Sequence, residues 1–327
     1  MTTYRAILCQ QLGSPELLTL ADLPRPALKP GEVRIRLRAA GVNFPDLLQI
    51  AGEYQHKPSL PFVPGFEAAG DVIEIGPETS GWQIGDAVIL RGGSCYAEEA
   101  VARAEGLLRK PADWSYEEAA AFPVAAATAW VALVARGRLR AGESLLVLGA
   151  GGGTGLAAVT LGSRLGARVI AVASSPAKRE AAVAAGAAIC VDPAEYDWID
   201  QVRTVTGGQG VNIVFDPVGG DLFDATWRGI AAGSRYLVIG FAAGRHPKLP
   251  ANRLLLREAE LIGVRAGEQT RRDPLTARQL QSALNEWLVS GEGRPRLGGI
   301  YRLADAAQAL RLMADRGAVG KLVLHTG

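Results

Sequence analysis

The chain has 327 residues, 48% of them apolar and 40 of them glycine. That is too long for one ordinary core and about right for two domains, with enough glycine for an α/β protein full of tight turns. The formal charge of +2 gives no reason to expect a nucleic-acid or membrane partner, and the three dispersed cysteines (Cys9, Cys95, Cys190) fit neither a disulfide framework nor a zinc cluster and suit a reducing cytosol.

In chain order, the opening "MTTYRAILCQQ" carries no apolar signal segment, as expected of a cytoplasmic protein. In "EVRIRLRAAG", Val33, Ile35 and Leu37 alternate with Arg34, Arg36 and Arg38, which predicts a half-buried strand. "GDVIEIG" and "GDAVIL" predict further short strands between glycine turns. Residues 1–123 therefore read as a compact, mostly antiparallel barrel or sandwich. Ser115 and Glu118 then have the spacing of a capping box. The run "AAAFPVAAATAWVALVA" contains Pro123 and stops at Arg136, so it reads as a buried helix rather than a membrane span.

From about Ser144 the rhythm is strand, then helix. The strands are "SLLVLG", "RVIAVA", "AAICV", "VNIVFD", "RYLVIGF" and "AELIGV", with amphipathic segments between most of them. Continuous apolar strands separated by helices imply a parallel sheet covered on both faces. Six of them make a doubly wound dinucleotide fold over residues 124–264. Residues 265–327 carry two helices and a last strand, "GKLVLH". This tail is expected to return to the first domain and leave a cleft between the two.

"LLVLGAGGGTGLAAVTLGSRLGA" reads as strand, glycine turn and helix. Small residues let main-chain N–H groups approach a pyrophosphate, and the helix N-terminus adds partial positive charge. Gly152, Gly153, Thr154 and Gly155 would supply that surface. The run departs in phase from G-x-G-x-x-G, since Thr154 falls where the last glycine would stand. Without its context it would be a tight turn with no ligand. The end of the next strand chooses the cofactor. An NAD site has an acid there for the ribose 2′-hydroxyl. This sequence has Ser174, Ser175, Lys178 and Arg179, with no acid before Glu180. Hydroxyls and cations suit the 2′-phosphate of NADPH; the alternative is a serine helix cap followed by solvated cations.

Four stretches carry a resemblance: "AAGVNFPDLLQIAGEYQHKPSLPFVPGFEAAGDVIEIGPE", "AGESLLVLGAGGGTGLAAVTLGSRLGARVIAVASSPAKR", "VNIVFDPVGGD" and "VIGFAAG". Together they resemble the medium-chain dehydrogenase/reductase superfamily, and within it the zinc-free quinone oxidoreductase branch that includes zeta-crystallin. The likeness runs in order over essentially the whole chain. It implies a GroES-like catalytic domain, a Rossmann domain and a homodimer. Zinc members of the superfamily place a cysteine where this chain has Asn43 and a histidine where it has Phe66. Glu67 remains, but a catalytic zinc takes three protein ligands, and the four-cysteine structural lobe is absent. The resemblance further brings Asn43 and Tyr54 to the substrate as catalytic candidates. Asp46 itself reads as a turn or helix-start residue rather than a catalyst. Thr128, Phe241, Ala242, Arg265 and Lys321 are carried to the cofactor, with a surface lysine before a strand as the alternative for Lys321. Pro193 stands where many relatives have a tyrosine flanking the adenine phosphate.

The leading expectation is an NADPH-dependent, metal-independent reductase of quinones or α,β-unsaturated carbonyls. Such an acceptor is conjugated to a carbonyl that takes up charge, so the protein needs only to orient and stabilise. An enoyl- or acryloyl-thioester reductase is the second reading. There Arg245, His246, Lys248, Arg253 and Arg257 would meet coenzyme A phosphates or simply form a solvated face. A non-catalytic NADPH-binding module is the third.

Overall fold

A computed structural model describes residues 2–327. It divides into two units, one formed by Met1–Val124 with Arg294–Gly327 and one by Ala125–Gly293.

The first unit begins with β1 (Thr3–Leu8) and β2 (Thr19–Pro24), an antiparallel pair of their own. Then come β3 (Glu32–Val42), β4 (Glu67–Ile75), β5 (Ala87–Arg91), β6 (Glu99–Arg103) and β7 (Leu108–Arg109). Helix α1 (Phe44–Ala51) leaves β3 at Asn43 and ends at Gly52, whose left-handed conformation (φ 77°) turns the chain back. Helix α2 (Tyr116–Ala121) starts with the expected capping box: the Glu118 N–H donates to Ser115 Oγ at 3.1 Å, and the Ser115 N–H donates to the Glu118 carboxylate at 2.8 Å.

The second unit holds β8 (Ser144–Leu148), β9 (Arg168–Val172), β10 (Ile189–Val191), β11 (Val211–Asp216), β12 (Ile230–Val238) and β13 (Glu260–Gly263). All pair in parallel, in the order β10-β9-β8-β11-β12-β13. Its helices are α3 (Pro123–Trp130), widening into a π-helical turn to Arg136, then α4 (Gly153–Arg164), α5 (Pro176–Ala184), α6 (Trp198–Val205), α7 (Gly220–Thr226), α8 (Ala251–Arg257), α9 (Ala266–Arg272) and α10 (Pro274–Ser290). Residues Tyr116–Arg136 are long and apolar enough to cross a membrane by length and composition, and most of that stretch is buried inside the protein. Strand β8 sits where the strand order reverses, with β9 on one side and β11 on the other. In open α/β sheets ligands bind at that switch point, and the glycine turn follows β8.

The tail supplies β14 (Leu297–Arg302), α11 (Ala306–Ala314) and β15 (Lys321–His325). Strand β15 pairs antiparallel with β3 and parallel with β14, completing a seven-stranded sheet in the order β14-β15-β3-β4-β5-β7, with β6 also on β3. The sheet is otherwise antiparallel, as the alternating strands foretold.

Two expectations need correction. The return does not begin at residue 265: α9 and α10 stay with the second unit, and the first is rejoined only at Arg294. The buried stripe Leu280, Leu284, Trp287 and Leu288 holds α10 there, and Arg164 of α4 bonds Ser290 at its end. Nor is Arg34 on the open face. It is only 3% exposed, because its guanidinium donates to Glu74 at 2.7 Å and to the Pro26 carbonyl at 2.6 Å, so the segment after β2 covers it.

Candidate active site

The first unit concentrates ionisable groups where β3, β4 and β15 meet α1. Glu67 opens β4 and is fully buried. Its Oε1 accepts from Lys321 Nζ at 2.5 Å and from Asn43 Nδ2 at 2.9 Å, and its Oε2 accepts from the Val124 N–H at 2.7 Å. Lys321, 5% exposed, also donates to Asn43 Oδ1 at 2.7 Å and to the Val42 carbonyl at 3.1 Å. All three ammonium hydrogens therefore have acceptors. Gly41 makes room for the carboxylate, since a Cβ there would lie 2.3 Å from Glu67 Oε1.

Asn43 is thus tied at both ends of its amide. Its Nδ2 reaches Glu67, and the Gly41 carbonyl at 3.4 Å, while its Oδ1 holds Lys321. Asn43, expected to offer a hydrogen bond to an acceptor oxygen, is here held by Glu67 and Lys321 within the protein. Asp46 lies beneath this cluster. One of its oxygens, Oδ2, accepts from the Asn43 N–H at 2.7 Å, as a helix-start residue should, and from the Tyr96 hydroxyl at 2.8 Å. The other, Oδ1, is buried with no partner. Burial pushes the Asp46 carboxyl up to about 7, against the pull of Tyr96, the Asn43 amide and Lys321. The same burial lifts the Tyr96 hydroxyl and the Cys95 thiol well above their ordinary values. Tyr54 follows α1, half-buried, with its ring 5.8 Å from that of Phe66.

The donor set does not fit zinc. Asn43 and Phe66, where the resemblance implies a cysteine and a histidine in zinc members, offer no thiolate or imidazole, and both oxygens of Glu67 are already bonded within the protein. Among the described residues no three His, Cys, Asp or Glu side chains gather closely enough to hold a metal ion.

The second unit has a surface of a different kind. Gly149 takes φ 63° after β8, and the first intrahelical bond of α4 runs from the Leu156 N–H to the Gly152 carbonyl at 2.8 Å. The amides of Gly153, Thr154 and Gly155 thus precede that ladder and face out from the helix start. A Cβ on Gly155 would fall 2.3 Å from the Gly149 carbonyl oxygen, whereas one on Gly152 would meet only that oxygen at 3.7 Å. Gly155 is there for the packing of helix on turn. Gly152 keeps the approach open, so the turn fits a dinucleotide phosphate.

The remaining candidates sort around this turn. Ser175 caps α5, accepting from the Lys178 N–H at 3.4 Å, and Ser174 is exposed beside it. The Lys178 stem lies on the turn itself: a Cβ on Gly151 would come within 2.4 Å of it. Arg179 turns away, donating to Asp192 at 2.6 Å and to the Ala173 carbonyl at 3.0 Å, so its charge is already paired. That removes it from the set of open cations, because Asp192 follows β10 directly beside β9. Phe241 is half-buried, edge-on to His246 at 4.6 Å, and Ala242 donates its N–H to the Pro217 carbonyl at 3.1 Å. Thr128 is half-buried on α3, and Arg265 is exposed at the start of α9.

The sequence reading separated Lys321 from Asn43, giving one to the cofactor and one to the substrate. The structure bonds them directly to each other and to a shared Glu67 oxygen. Asp46 with Tyr96 escaped notice as a pair, because no periodicity links residues 50 positions apart.

Comparison with known proteins agrees with this architecture. Residues 29–123 match the family described as alcohol dehydrogenase GroES-like domain, and residues 153–281 match the one described as zinc-binding dehydrogenase. The chain is 38% identical over 324 residues to quinone oxidoreductase-like protein 2 of Bos taurus, spanning 98% of this chain and 92% of that one. A crystal structure of a probable oxidoreductase from Mycobacterium abscessus superposes with a TM-score of 0.88 at 39% identity over 99% of both chains. A mycobacterial protein complexed with NADPH does so with 0.90 at 31%, over 98% of this chain and 100% of its own. With its six-stranded parallel sheet and glycine turn, the chain is an oxidoreductase built for a nicotinamide cofactor. It belongs to the quinone oxidoreductase branch of the medium-chain dehydrogenase/reductase superfamily.

Proposed function

We propose that the protein is an NADPH-dependent reductase of quinones or α,β-unsaturated carbonyls that works without a metal. The observation that carries this reading is the closed Glu67–Lys321–Asn43 cluster, in which an ammonium group meets the one carboxylate left at the ligand positions. A site so built suits an acceptor whose own carbonyl takes up the developing charge. Ser174, Ser175 and Lys178, with no acid at the end of β9, favour a 2′-phosphate over a bare ribose.

When bound, the reduced nicotinamide supplies a hydride. The chain's own groups orient and solvate. Lys321 and Glu67 fix the Asn43 loop. Tyr54, packed on Phe66, offers the acceptor a flat apolar face and a phenol. For an enone, the β-carbon takes the hydride and the α-carbon takes a proton from Tyr54 or water, leaving the saturated ketone and NADP⁺. The reading includes a homodimer. Strand β13 is a sheet edge, and Leu255, Leu256 and Leu261 are exposed around it. Two-fold antiparallel pairing centred between Leu261 and Ile262 would set Glu258 opposite Arg265, and light scattering tests it.

The decisive assay offers NADPH and NADH with 1,4-benzoquinone, a simple enone, crotonyl-CoA and a primary alcohol. Quinone and enone should be reduced with NADPH, before and after exhaustive chelation. Deuterated NADPH should label the β-carbon of the enone. Turnover of the alcohol alone, or activity that vanishes with a chelator, would sink the proposal.

A further inference from the structure

Arg91 ends β5 opposite Glu67 at the start of β4. Paired residues on antiparallel strands project from the same face, their Cα atoms about 5 Å apart. Arg91 therefore stands beside the Glu67–Lys321–Asn43 cluster without joining it. The oxygens of Glu67 are taken by Lys321, Asn43 and Val124. Among the described residues, no hydrogen bond or ion pair engages the Arg91 guanidinium.

Three further facts separate it from an ordinary surface arginine. It is open to solvent, yet burial pulls its guanidinium below the ordinary arginine value, with Glu67 pulling the other way. Arg5, Arg245, Arg271 and Arg302 move in the opposite direction, each raised by a bonded carboxylate partner. The chain beyond it is kept small: a Cβ on Gly93 would meet nothing within 4 Å, and one on Gly92 only Leu90 at 3.9 Å. The Gly92 N–H donates to the Phe66 carbonyl at 2.9 Å, which ties this open corner to the segment carrying Phe66 and Glu67. A reachable guanidinium with no partner of its own is free to take an oxyanion, and its fork matches carboxylate and phosphate alike.

We propose that Arg91 recognises an oxyanion carried by the electron acceptor, so that the preferred substrate is an anionic enone, quinone or enoyl thioester. The anion is a carboxylate on the acceptor itself or a phosphate on its carrier arm. This rests on the reductase reading above.

The test uses the full chain and two matched pairs: 6-oxo-4-heptenoate against its methyl ester, and crotonyl-CoA against the crotonyl thioester of N-acetylcysteamine. Arg91→Gln should lower kcat/KM for the charged member of at least one pair by about 10- to 100-fold. The neutral partners and the NADPH KM should be unchanged. Arg91→Lys should restore part of the loss. The pair that responds tells carboxylate from carrier phosphate. Calorimetry adds a readout free of turnover. The saturated keto acid 6-oxoheptanoate and free coenzyme A are titrated into wild type and Arg91→Gln, and at least one should bind the first and not the second. Equal losses on charged and neutral substrates, a raised NADPH KM in their place, or no effect on either pair would overturn the assignment. If wild type reduces none of the four compounds, the reductase reading fails, and the calorimetric difference alone decides for or against Arg91.

Discussion

The two units build their candidate sites by opposite means. The glycine turn after β8 is a backbone surface: its amides face outward, and its selectivity lies in the side chains it lacks. The cluster on β3, β4 and β15 is a side-chain surface. Lys321, Glu67 and Asn43 satisfy one another almost completely and leave Arg91 as the open charge beside them. A backbone site tolerates change until a Cβ intrudes. A buried ionic site tolerates almost none, because a removed partner leaves a charge in low dielectric.

The contrast is broken most severely at Lys321. In Lys321→Met, Glu67 stays buried without its cation, which should cost about 3–5 kcal/mol. Urea unfolding should show the loss, and hydrogen exchange should place it in β3, β4 and β15. Adding Glu67→Gln should recover most of it. A loss under about 1 kcal/mol would mean that the cluster is more hydrated than its burial implies.

Asp46 sharpens the same point through pH. Its carboxyl is raised to about 7 in the fold, so the native state holds a proton that the unfolded chain gives up near its ordinary value. Its contribution to stability is therefore fully present at about pH 4 and is lost as pH rises through about 7. Over that window the wild type should lose on the order of 2–4 kcal/mol relative to Asp46→Asn, read from parallel unfolding curves. Parallel curves with a constant gap would refute the buried acid.

In the second unit, Lys178→Ala should weaken NADPH about 10- to 100-fold and leave NADH nearly unchanged, as a lost charge-assisted contact to phosphate predicts. Equal weakening of both cofactors would show that the Lys178 stem matters only for packing on Gly151. The smallest effects on stability lie at two neighbouring glycines. Gly155→Ala forces a Cβ toward the Gly149 carbonyl and should cost about 1–3 kcal/mol. Gly152→Ala has room and should cost less than about 1 kcal/mol, yet still weaken dinucleotide binding. If the two behave alike in both assays, the division between packing glycine and approach glycine is wrong.

Much of the second unit was legible beforehand because its requirements are local. Six apolar strands fall where the sequence rhythm places them, and the phosphate turn needs small residues at a strand-to-helix junction whatever surrounds it. Ser115 and Glu118 cap α2 for the same reason, three positions apart on one turn. The sequence also named Asn43, Glu67 and Lys321, through their motifs, without their relation.

That relation came only with strand order. Lys321 lies 278 positions from Asn43 and 254 from Glu67, and the pairing of β15 with β3 and of β3 with β4 brings all three together. The same sheet turned Arg34 inward beneath Pro26, and set Arg91 across from Glu67. Helices α9 and α10 stayed with the second unit because the partner for their apolar stripe is a surface, and a surface has no sequence period. Backbone sites are written in consecutive residues, since φ, ψ and the missing Cβ are properties of each residue. Buried charge pairs are written in the register between distant strands, which the chain settles only when it folds.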